Sequence, residues 1–422
     1  MSLQTVRLDL STLTADQQVA RLKEQQALLR GKGLLVRAQV HDLPVRQYIS
    51  LLERGYRVGL EQEGGGFTLT LDPDGSTPRT GIRGAHSVVS HDDGRVYANT
   101  TGNRIAVIDG ATRRLKKHIP TGDDPSHLEL SADGKRLYVA NSGSNDVTII
   151  DTTADQVLAT VPTGKRPLLP CVAPNGEAIY LPSGPQRTVT VLGAEGEFRA
   201  NVAVGIAPHD IAISPDSRWA YQPNSASHTV TVIDGRNYSV VGEIKVGLGP
   251  GHMAFDPENR FAYVANTVSD DVTVIDIGTH EVVASIPAGR GAHLPVIGPD
   301  GRYGYIANFA SDNLTVWDCN NHRVIATIPV GIYPHFFALS MDGDWLVVSN
   351  TGESSVCIID ARRHEIRARL QVGPAPAHLA FSPDNECAFV GCESSDEVVM
   401  IDLRNQTIVE SVKAGSSGPG AH

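Results

Sequence analysis

Short runs in which apolar and polar residues alternate follow one another along most of the chain. One run, Val147-Thr148-Ile149-Ile150, has the alternation that is typical of a strand packed between neighbouring sheets. An Asp-Gly pair at 133–134 separates two further β-rich runs, and this dipeptide favours a tight hairpin turn. In this part of the chain the pattern predicts strands at 128–130, 136–140, 146–151 and 156–162.

The same four-strand pattern recurs at a fixed interval. An asparagine closes a hydrophobic strand in six copies, while Ser183 and Cys392 hold that position in the other two; the asparagines are Asn99, Asn141, Asn224, Asn266, Asn308 and Asn350. An aspartate ends the next strand in seven copies, and Gly193 takes its place in the third; the aspartates are Asp109, Asp151, Asp234, Asp276, Asp318, Asp360 and Asp402. Repeats of about 42 residues with four strands are propeller blades. The sequence therefore predicts a mainly β fold, an eight-bladed β-propeller.

Two segments carry a family resemblance. The segments LYVANSGSNDVTIID (137–151) and AYVANTVSDDVTVID (262–276) resemble the YVTN-repeat β-propellers, and the resemblance covers about residues 82–415. It implies the propeller fold but little about activity, because such repeats serve enzymes, cofactor carriers and adhesive scaffolds. No strand is left over for a blade shared between the two ends. We expect the ring to close by packing of blade one against blade eight, or with help from residues 67–71.

The first seventy residues predict a separate small α/β domain of order βαβαββ. Its strands are expected at Val6–Leu10, Gly33–Gln39, Tyr56–Glu61 and Phe67–Leu71, with helices at 14–29 and 45–53. This order, and the segment HDLPVRQYISLLERGY (41–56), resemble the TusA-like and DUF2249 domains. Sulfur carriers of the TusA type depend on a cysteine near the first helix, which is absent here. The domain is interpreted as a docking module for a protein partner, as a regulatory module, or as a structural appendage.

The predicted organisation is thus a TusA-like domain at 1–72, a linker at 73–83 and the propeller at 84–422. The linker sequence DPDGSTPRTGIR is rich in turn residues.

The candidate chemistry lies where each innermost strand begins. A Pro, Gly or Ala starts this loop in every copy, and a histidine follows within two residues in seven of the eight; these are His86, His127, His209, His252, His293, His335 and His378. Blade three has Leu168 and Leu169 instead. The tail Gly-Pro-Gly-Ala-His at 418–422 resembles the start of blade one, so that His422 could add an eighth imidazole. The innermost strands of a propeller line its channel, so we expect these side chains to gather at one mouth.

The histidines fall into two registers. The second position after the starting residue holds His86, His127, His252 and His378, whereas the first holds His209, His293 and His335. Adjacent strand positions point in opposite directions, so both groups reach one site only if the loop is not yet regular strand. Blades eight, one and two share the second register, which makes His378, His86 and His127 the most coherent trio. Asp210 occupies the second position of blade four and is a candidate carboxylate partner.

Convergent imidazoles allow three interpretations. They bind transition metals, they bind or flank a planar cofactor, or they only hydrogen-bond a neighbouring blade. The leading hypothesis is a copper- or iron-dependent redox enzyme that acts on a small molecule, with the eight histidines as metal ligands. The alternatives are a propeller that binds haem or another tetrapyrrole, and a non-catalytic protein-interaction scaffold.

Composition restricts the function further. The formal net charge of −11 argues against a nucleic-acid partner, which would require clustered Lys and Arg. No apolar run approaches the length of a membrane span, and no signal peptide is recognised at the N-terminus. The five cysteines lack the CxxC and CxxCH spacings of zinc ribbons and haem attachment. We therefore expect reduced thiols in a cytoplasmic protein.

Overall fold

The structure, a computed structural model, describes residues 5–9, 35–40, 57–63, 66–72 and 84–415. The chain divides into two compact units, Met1–Gly81 and Ile82–His422. The predicted N-terminal helices, the linker and His422 lie outside the described residues. No helix among the described residues is long and apolar enough to cross a bilayer.

The N-terminal unit contains one four-stranded sheet. Its strands are β1 Thr5–Asp9, β2 Leu35–Val40, β3 Arg57–Glu63 and β4 Gly66–Asp72, in the order β1-β2-β4-β3. β1 and β2 are parallel, and the other two pairs are antiparallel. β4 lies between β2 and β3 in this sheet. That residues 67–71 help to close the ring stays a prediction.

The second unit contains eight four-stranded antiparallel sheets, each built from consecutive strands. The first strands are β5 Val88–Ser90, β9 Pro125–Leu130, β13 Cys171–Val172, β17 Ala212–Ile213, β21 Pro250–Phe255, β25 Ala292–Ile297, β29 Pro334–Leu339 and β33 Pro376–Phe381. The second strands are β6 Arg95–Thr100, β10 Arg136–Asn141, β14 Ala178–Ser183, β18 Trp219–Asn224, β22 Phe261–Asn266, β26 Tyr303–Asn308, β30 Trp345–Asn350 and β34 Cys387–Cys392.

The two outer strands of each sheet complete the blades. The third strands are β7 Arg104–Asp109, β11 Asp146–Asp151, β15 Thr188–Gly193, β19 Thr229–Asp234, β23 Asp271–Asp276, β27 Asn313–Asp318, β31 Ser355–Asp360 and β35 Glu397–Asp402. The fourth strands are β8 Arg114–Pro120, β12 Gln156–Pro162, β16 Phe198–Ala203, β20 Val240–Lys245, β24 Glu281–Pro287, β28 Arg323–Pro329, β32 Glu365–Gln371 and β36 Thr407–Lys413. One 3₁₀ turn, Glu393–Ser395, precedes β35.

The eight sheets form a closed ring around a central axis. Each first strand contacts the first strand of the next sheet, and β33 of the last sheet contacts β5 of the first. The second and third strands are almost fully buried between neighbouring sheets, whereas the fourth strands are largely exposed. The predicted eight-bladed β-propeller is confirmed.

The residues that mark the repeat have local structural roles. The Asn266 side chain is fully buried and donates a hydrogen bond of 2.8 Å to Thr273 Oγ1 on the adjacent strand. Asp276 Oδ1 accepts a hydrogen bond of 2.9 Å from the Thr279 backbone N–H, which fixes the turn into the fourth strand. The asparagine forms a hydrogen bond with a buried polar group, and the aspartate forms one with a turn N–H. These hydrogen bonds explain why the two marker residues recur at a regular spacing in the blades that carry them.

Neighbouring blades are also joined by aromatic side chains. The Tyr97 hydroxyl of blade one donates a hydrogen bond of 2.8 Å to Asp155 of blade two. Further along the ring, the Tyr221 hydroxyl lies 2.7 Å from Nδ1 of His280, which belongs to the turn of the next blade. His322 and His364 make the same type of edge contact with the rings of Tyr263 and Tyr305. These histidines are structural and do not belong to the group at the strand starts.

Within residues 84–415, the first and last blades are joined without a shared strand. Their side chains form one apolar cluster, to which Ala98 and Ala106 contribute from blade one and Phe389 and Met400 from blade eight. The His378 backbone N–H donates to the His86 carbonyl oxygen at 3.0 Å. Closure by packing between blades one and eight is therefore confirmed.

A single carboxylate adds several hydrogen bonds to this closure. Asp396 accepts bonds from both Thr100 Oγ1 (2.7 and 2.8 Å) and Thr101 Oγ1 (2.8 Å). Gly84, whose φ is +104°, passes so close that a Cβ atom would collide with the carbonyl oxygen of Glu393. The chain therefore requires glycine at this position.

We expect replacement of Asp396 by alanine to destabilise the propeller more than the same change at Asp312. Asp312 holds the equivalent left-handed loop position two blades earlier (φ 56° against 53°) and accepts one bond of 3.0 Å, from the Tyr333 backbone N–H. Because the backbone conformation is matched, the difference reports the hydrogen bonds of the closure. We expect Asp396→Ala to lose about 1.5–3 kcal/mol, as is typical for bonds to a charged group.

Chemical denaturation of both variants, followed by circular dichroism, measures the two free energies of unfolding. Equal losses would contradict a special role for Asp396 at the closure.

Candidate functional site

The predicted histidines lie where the first strands depart from regular pairing. The register between first and second strands shifts between Pro250 and Met253, Ala292 and Pro295, Pro334 and Phe336, and Pro376 and Leu379. A β-bulge of this kind interrupts the alternation of side-chain directions. Histidines of both registers can therefore face the same end of the ring, which we call the histidine mouth.

Ring contacts join the seven histidines that the structure describes into two groups, His209-His252-His293-His335 and His378-His86-His127. His252, from the second register, lies between two histidines of the first register, with ring centroids 4.8 Å from His209 and 4.5 Å from His293. His293 in turn lies 4.5 Å from His335. The first-register histidines thus do not form a trio of their own, because His209 pairs with His252 instead.

Blades eight, one and two supply a compact group of three imidazoles. Ring centroids are 5.5 Å apart for His86 and His127, 5.1 Å for His86 and His378, and 5.5 Å for His127 and His378. One ring nitrogen of each lies within 4.8 Å of the others. We call this group the histidine trio. It is the arrangement that the shared register predicted.

Phe336 connects the trio to the remaining histidines. Its buried ring lies 3.8 Å from His378 and 4.2 Å from His335, measured between centroids. Phe336 takes the second position of blade seven, where blades eight, one and two have histidine. The mouth therefore contains one apolar ring within a series of imidazoles.

Buried amides hold the backbone of the histidine loops. Asn99 Oδ1 accepts hydrogen bonds from the backbone N–H groups of His86 (3.0 Å) and Ser87 (2.7 Å). Its Nδ2 donates to the Pro125 carbonyl oxygen at 3.1 Å, two residues before His127. Gln222 Nε2 similarly donates to the His209 carbonyl oxygen at 2.8 Å. Since Asn99 is fully buried, it links two loops of the trio rigidly.

Two carboxylates face the imidazoles. Glu393 Oε2 lies 3.2 Å from His86 Nδ1, and Asp210 Oδ2 lies 3.1 Å from His252 Nδ1. A carboxylate in this position fixes the tautomer and the orientation of an imidazole. Asp210 was recognised from its position in the sequence, but Glu393 follows the second strand of blade eight and carried no such signal.

Burial keeps several of these imidazoles neutral. It lowers the pKa of His335 to about 3, and the pKa values of His252, His293 and His378 lie well below the ordinary value for the same reason. Repulsion between neighbouring imidazolium groups lowers them further. A neutral imidazole is the form that binds a metal ion.

A second layer of the channel wall contains two titratable groups. Glu129 lies two residues after His127 on the same face of β9 and pairs with Tyr138; Cys171 occupies the equivalent position opposite Tyr180 in blade three. Burial raises the pKa of Glu129 to about 7 and raises that of the Cys171 thiol. The two-residue strand period from His127 could have identified Glu129 in the sequence.

Blade three and the cysteines add no ligand to the histidine mouth among the described contacts. Blade three contributes Leu168 and Leu169 and no imidazole, so that the histidine series is interrupted there. The five cysteines form no disulfide. Whether any of the histidines, including His422, binds metal stays a prediction.

Comparison with known proteins supports the fold. The family model described as "Lactonase, 7-bladed beta-propeller" matches residues 207–366 and 334–419, together about half of the chain. The two matches overlap, as expected when a repeat model meets a chain that has further copies of the repeat. No curated protein sequence matches this chain. The resemblance to YVTN repeats and the TusA-like assignment stay predictions.

Three solved structures share the architecture at low sequence identity. Dihydro-heme d1 dehydrogenase NirN in complex with DHE is 18% identical, with a TM-score of 0.64 over 80% of this chain and 75% of that one. Hydrazine synthase of Kuenenia stuttgartiensis is 19% identical, with a TM-score of 0.55 over 78% and 98%. A functionally unknown protein from Desulfotomaculum acetoxidans DSM 771 is 15% identical, with a TM-score of 0.54 over 64% and 94%. At this identity they show the fold alone.

We expect Glu129→Gln to stabilise the propeller at pH 8 but not at pH 4.5. The folded-state pKa of Glu129, about 7, is above the ordinary 4.5, so the folded protein binds more protons between these values and loses stability as the pH rises through them. Glutamine removes this loss, which amounts to about 3 kcal/mol at pH 8 because one pKa unit corresponds to about 1.4 kcal/mol.

Thermal unfolding of both proteins at the two pH values measures this difference. Glu365→Gln, in the exposed outermost strand β32, is the matched control. A gain from Glu129→Gln that does not depend on pH would contradict the prediction.

Proposed function

The chain belongs to the family described as "Lactonase, 7-bladed beta-propeller", and from this premise we propose that it is a propeller that binds a haem-type tetrapyrrole at its histidine mouth. The family supplies the scaffold but does not define the ligand, since one fold supports many activities. The proposal rests on the chemistry of the mouth itself.

The observation that carries the proposal is a buried imidazole nitrogen without a partner. His378 Nε2 is shielded from solvent, and among the described residues it neither accepts nor donates a hydrogen bond. The same is true of His293 Nδ1. A buried polar atom of this kind normally has a partner, so its isolation favours an absent ligand. Neutral imidazole is also the usual protein ligand of haem iron.

The surroundings of His378 fit a flat, largely apolar group. Phe336 offers a ring face or edge beside His378. His86, His127 and His335 adjoin these two residues, and His293 contacts His335. Apolar walls with a few placed polar groups are typical of cofactor sites. The likeness to dihydro-heme d1 dehydrogenase NirN in complex with DHE supports the same direction, because that protein's propeller fold is shared over most of this chain.

In this proposal the chain's residues have distinct tasks. His378 provides the iron ligand, and Asn99 holds the loops of His86 and His127 that border it. Phe336, which lies beside His378, would exclude water and offer its ring to the bound group. A bound tetrapyrrole iron supplies electron-transfer or redox chemistry, whose potential depends on the ligand and on burial. A small-molecule substrate approaches through the mouth, and the N-terminal domain docks a protein partner.

The second candidate is a copper- or iron-dependent redox site without a tetrapyrrole. Three ring nitrogens within 4.8 Å of one another, in the histidine trio, favour it. Imidazole suits both metals, and a three-ligand site leaves coordination positions open for a substrate. The two candidates share His378 but differ in the ligand that the protein retains.

We expect the purified protein to bind hemin with a shifted Soret band and with an affinity that His378→Ala lowers at least tenfold. His280→Ala is the matched control, because His280 is also a part-buried histidine beside aromatic rings but lies at an outer turn between blades. Its hemin affinity is expected to equal that of the unchanged protein.

Elemental analysis of native protein, purified without chelator, separates the remaining possibilities. Absence of a Soret shift together with about one copper or iron per chain, lost in His86→Ala, would replace the tetrapyrrole proposal by the second candidate. Absence of both hemin and metal binding would exclude both and leave the interaction scaffold.

A further inference from the structure

Asp210 is a carboxylate inside the histidine mouth that has no cation to balance it. Its side chain is 14% exposed. Among the described residues its ion pairs involve only His252, at 3.1 Å, and His209, at 3.9 Å, and include no lysine or arginine. Removing a carboxylate from water is costly unless a positive charge or several hydrogen bonds compensate. This observation indicates that a positive charge completes the group.

The neighbours of Asp210 are suited to hold that charge as a metal ion. One ligand atom from each of His209, Asp210 and His252 lies within 4.8 Å of the others. Metal bonds of about 2.0–2.2 Å place neighbouring ligand atoms about 3–3.5 Å apart. The contact between Asp210 and His252 already has this separation. The contact between Asp210 and His209 must shorten by about half an ångström, which a part-exposed imidazole permits.

A second observation concerns His209. Its Nδ1 atom is buried and has no hydrogen-bond partner, although the side chain as a whole is 40% exposed. The atom that faces Asp210 is therefore protected from water while the opposite edge of the ring is open. His252 is nine-tenths buried. Such a site has two fixed protein ligands, one adjustable ligand and an open side.

We propose that His209, Asp210 and His252 form a separate binding site for one divalent first-row metal ion, of the ferrous or zinc class. Two imidazoles and one carboxylate with open positions are the donor set that these ions prefer. The site does not depend on a tetrapyrrole or on the histidine trio. His293, His335 and Phe336 lie between it and the trio along the series of ring contacts.

The experiment titrates metal-free, full-length protein with Co²⁺ and records its visible absorption, because the d–d bands of Co²⁺ report the number and type of its ligands. The comparison uses unchanged protein, Asp210→Asn, His209→Ala and His127→Gln. His127→Gln is the matched control, since it removes an imidazole from the trio and leaves the proposed site complete. Circular dichroism melting of each variant verifies that the propeller is folded.

We expect Asp210→Asn and His209→Ala each to weaken Co²⁺ binding at one site at least tenfold and to change the bands of that site. His127→Gln should leave these bands unchanged. If Asp210→Asn unfolds, His209→Ala still tests the site, because shortening the part-exposed His209 side chain is expected to leave the propeller folded.

Two outcomes would overturn the proposal. In the first, Asp210→Asn weakens binding but leaves the spectrum of bound Co²⁺ unaltered, which would make Asp210 a residue that only orients His252. In the second, the Co²⁺ bands disappear in His127→Gln and persist in His209→Ala, which would assign the metal to the trio. Neither result bears on hemin binding. The proposed metal site can therefore be disproved while the tetrapyrrole proposal stands, and the tetrapyrrole proposal can be disproved while the metal site stands.

Discussion

The structure depends on how blade eight meets blade one. Among the described strands none is shared between the ends of the ring, so closure rests on an apolar cluster, on the hydrogen bonds of Asp396 and on the bond from His378 N–H to the His86 carbonyl. The histidine trio spans this seam, because its members come from blades eight, one and two. The geometry of the candidate site and the integrity of the ring therefore rest on the same contacts.

Much of the fold follows from the sequence because the repeat is nearly strict. The spacing of buried asparagines and turn aspartates predicts eight blades, since each marker satisfies a backbone or buried polar group that every blade must satisfy. The position of the histidines at one mouth follows from the same spacing. Closure by packing was one of two expectations, and the contacts between blades one and eight confirm it.

Details of the site depend on features that strand alternation does not predict. The bulges in the first strands decide that His252 lies beside His209 and His293, and a bulge has no clear signature in these short segments. Phe336 and Glu393 contact the histidines, but neither occupies a position at which the repeat has a characteristic residue. Asn99 is a repeat marker in the sequence, yet its side chain holds two histidine loops rather than the strand beside it.

Because each blade is one continuous stretch of chain, the propeller could gain or lose whole blades. Each sheet of the propeller is one uninterrupted stretch of chain, so the gain or loss of one whole repeat would leave every remaining sheet intact. Only the contacts at the seam would have to be re-formed at a different ring circumference. A ring closed by packing and hydrogen bonds, rather than by a strand exchanged between its ends, is open to such changes. The number of imidazoles around its axis would change with the number of blades.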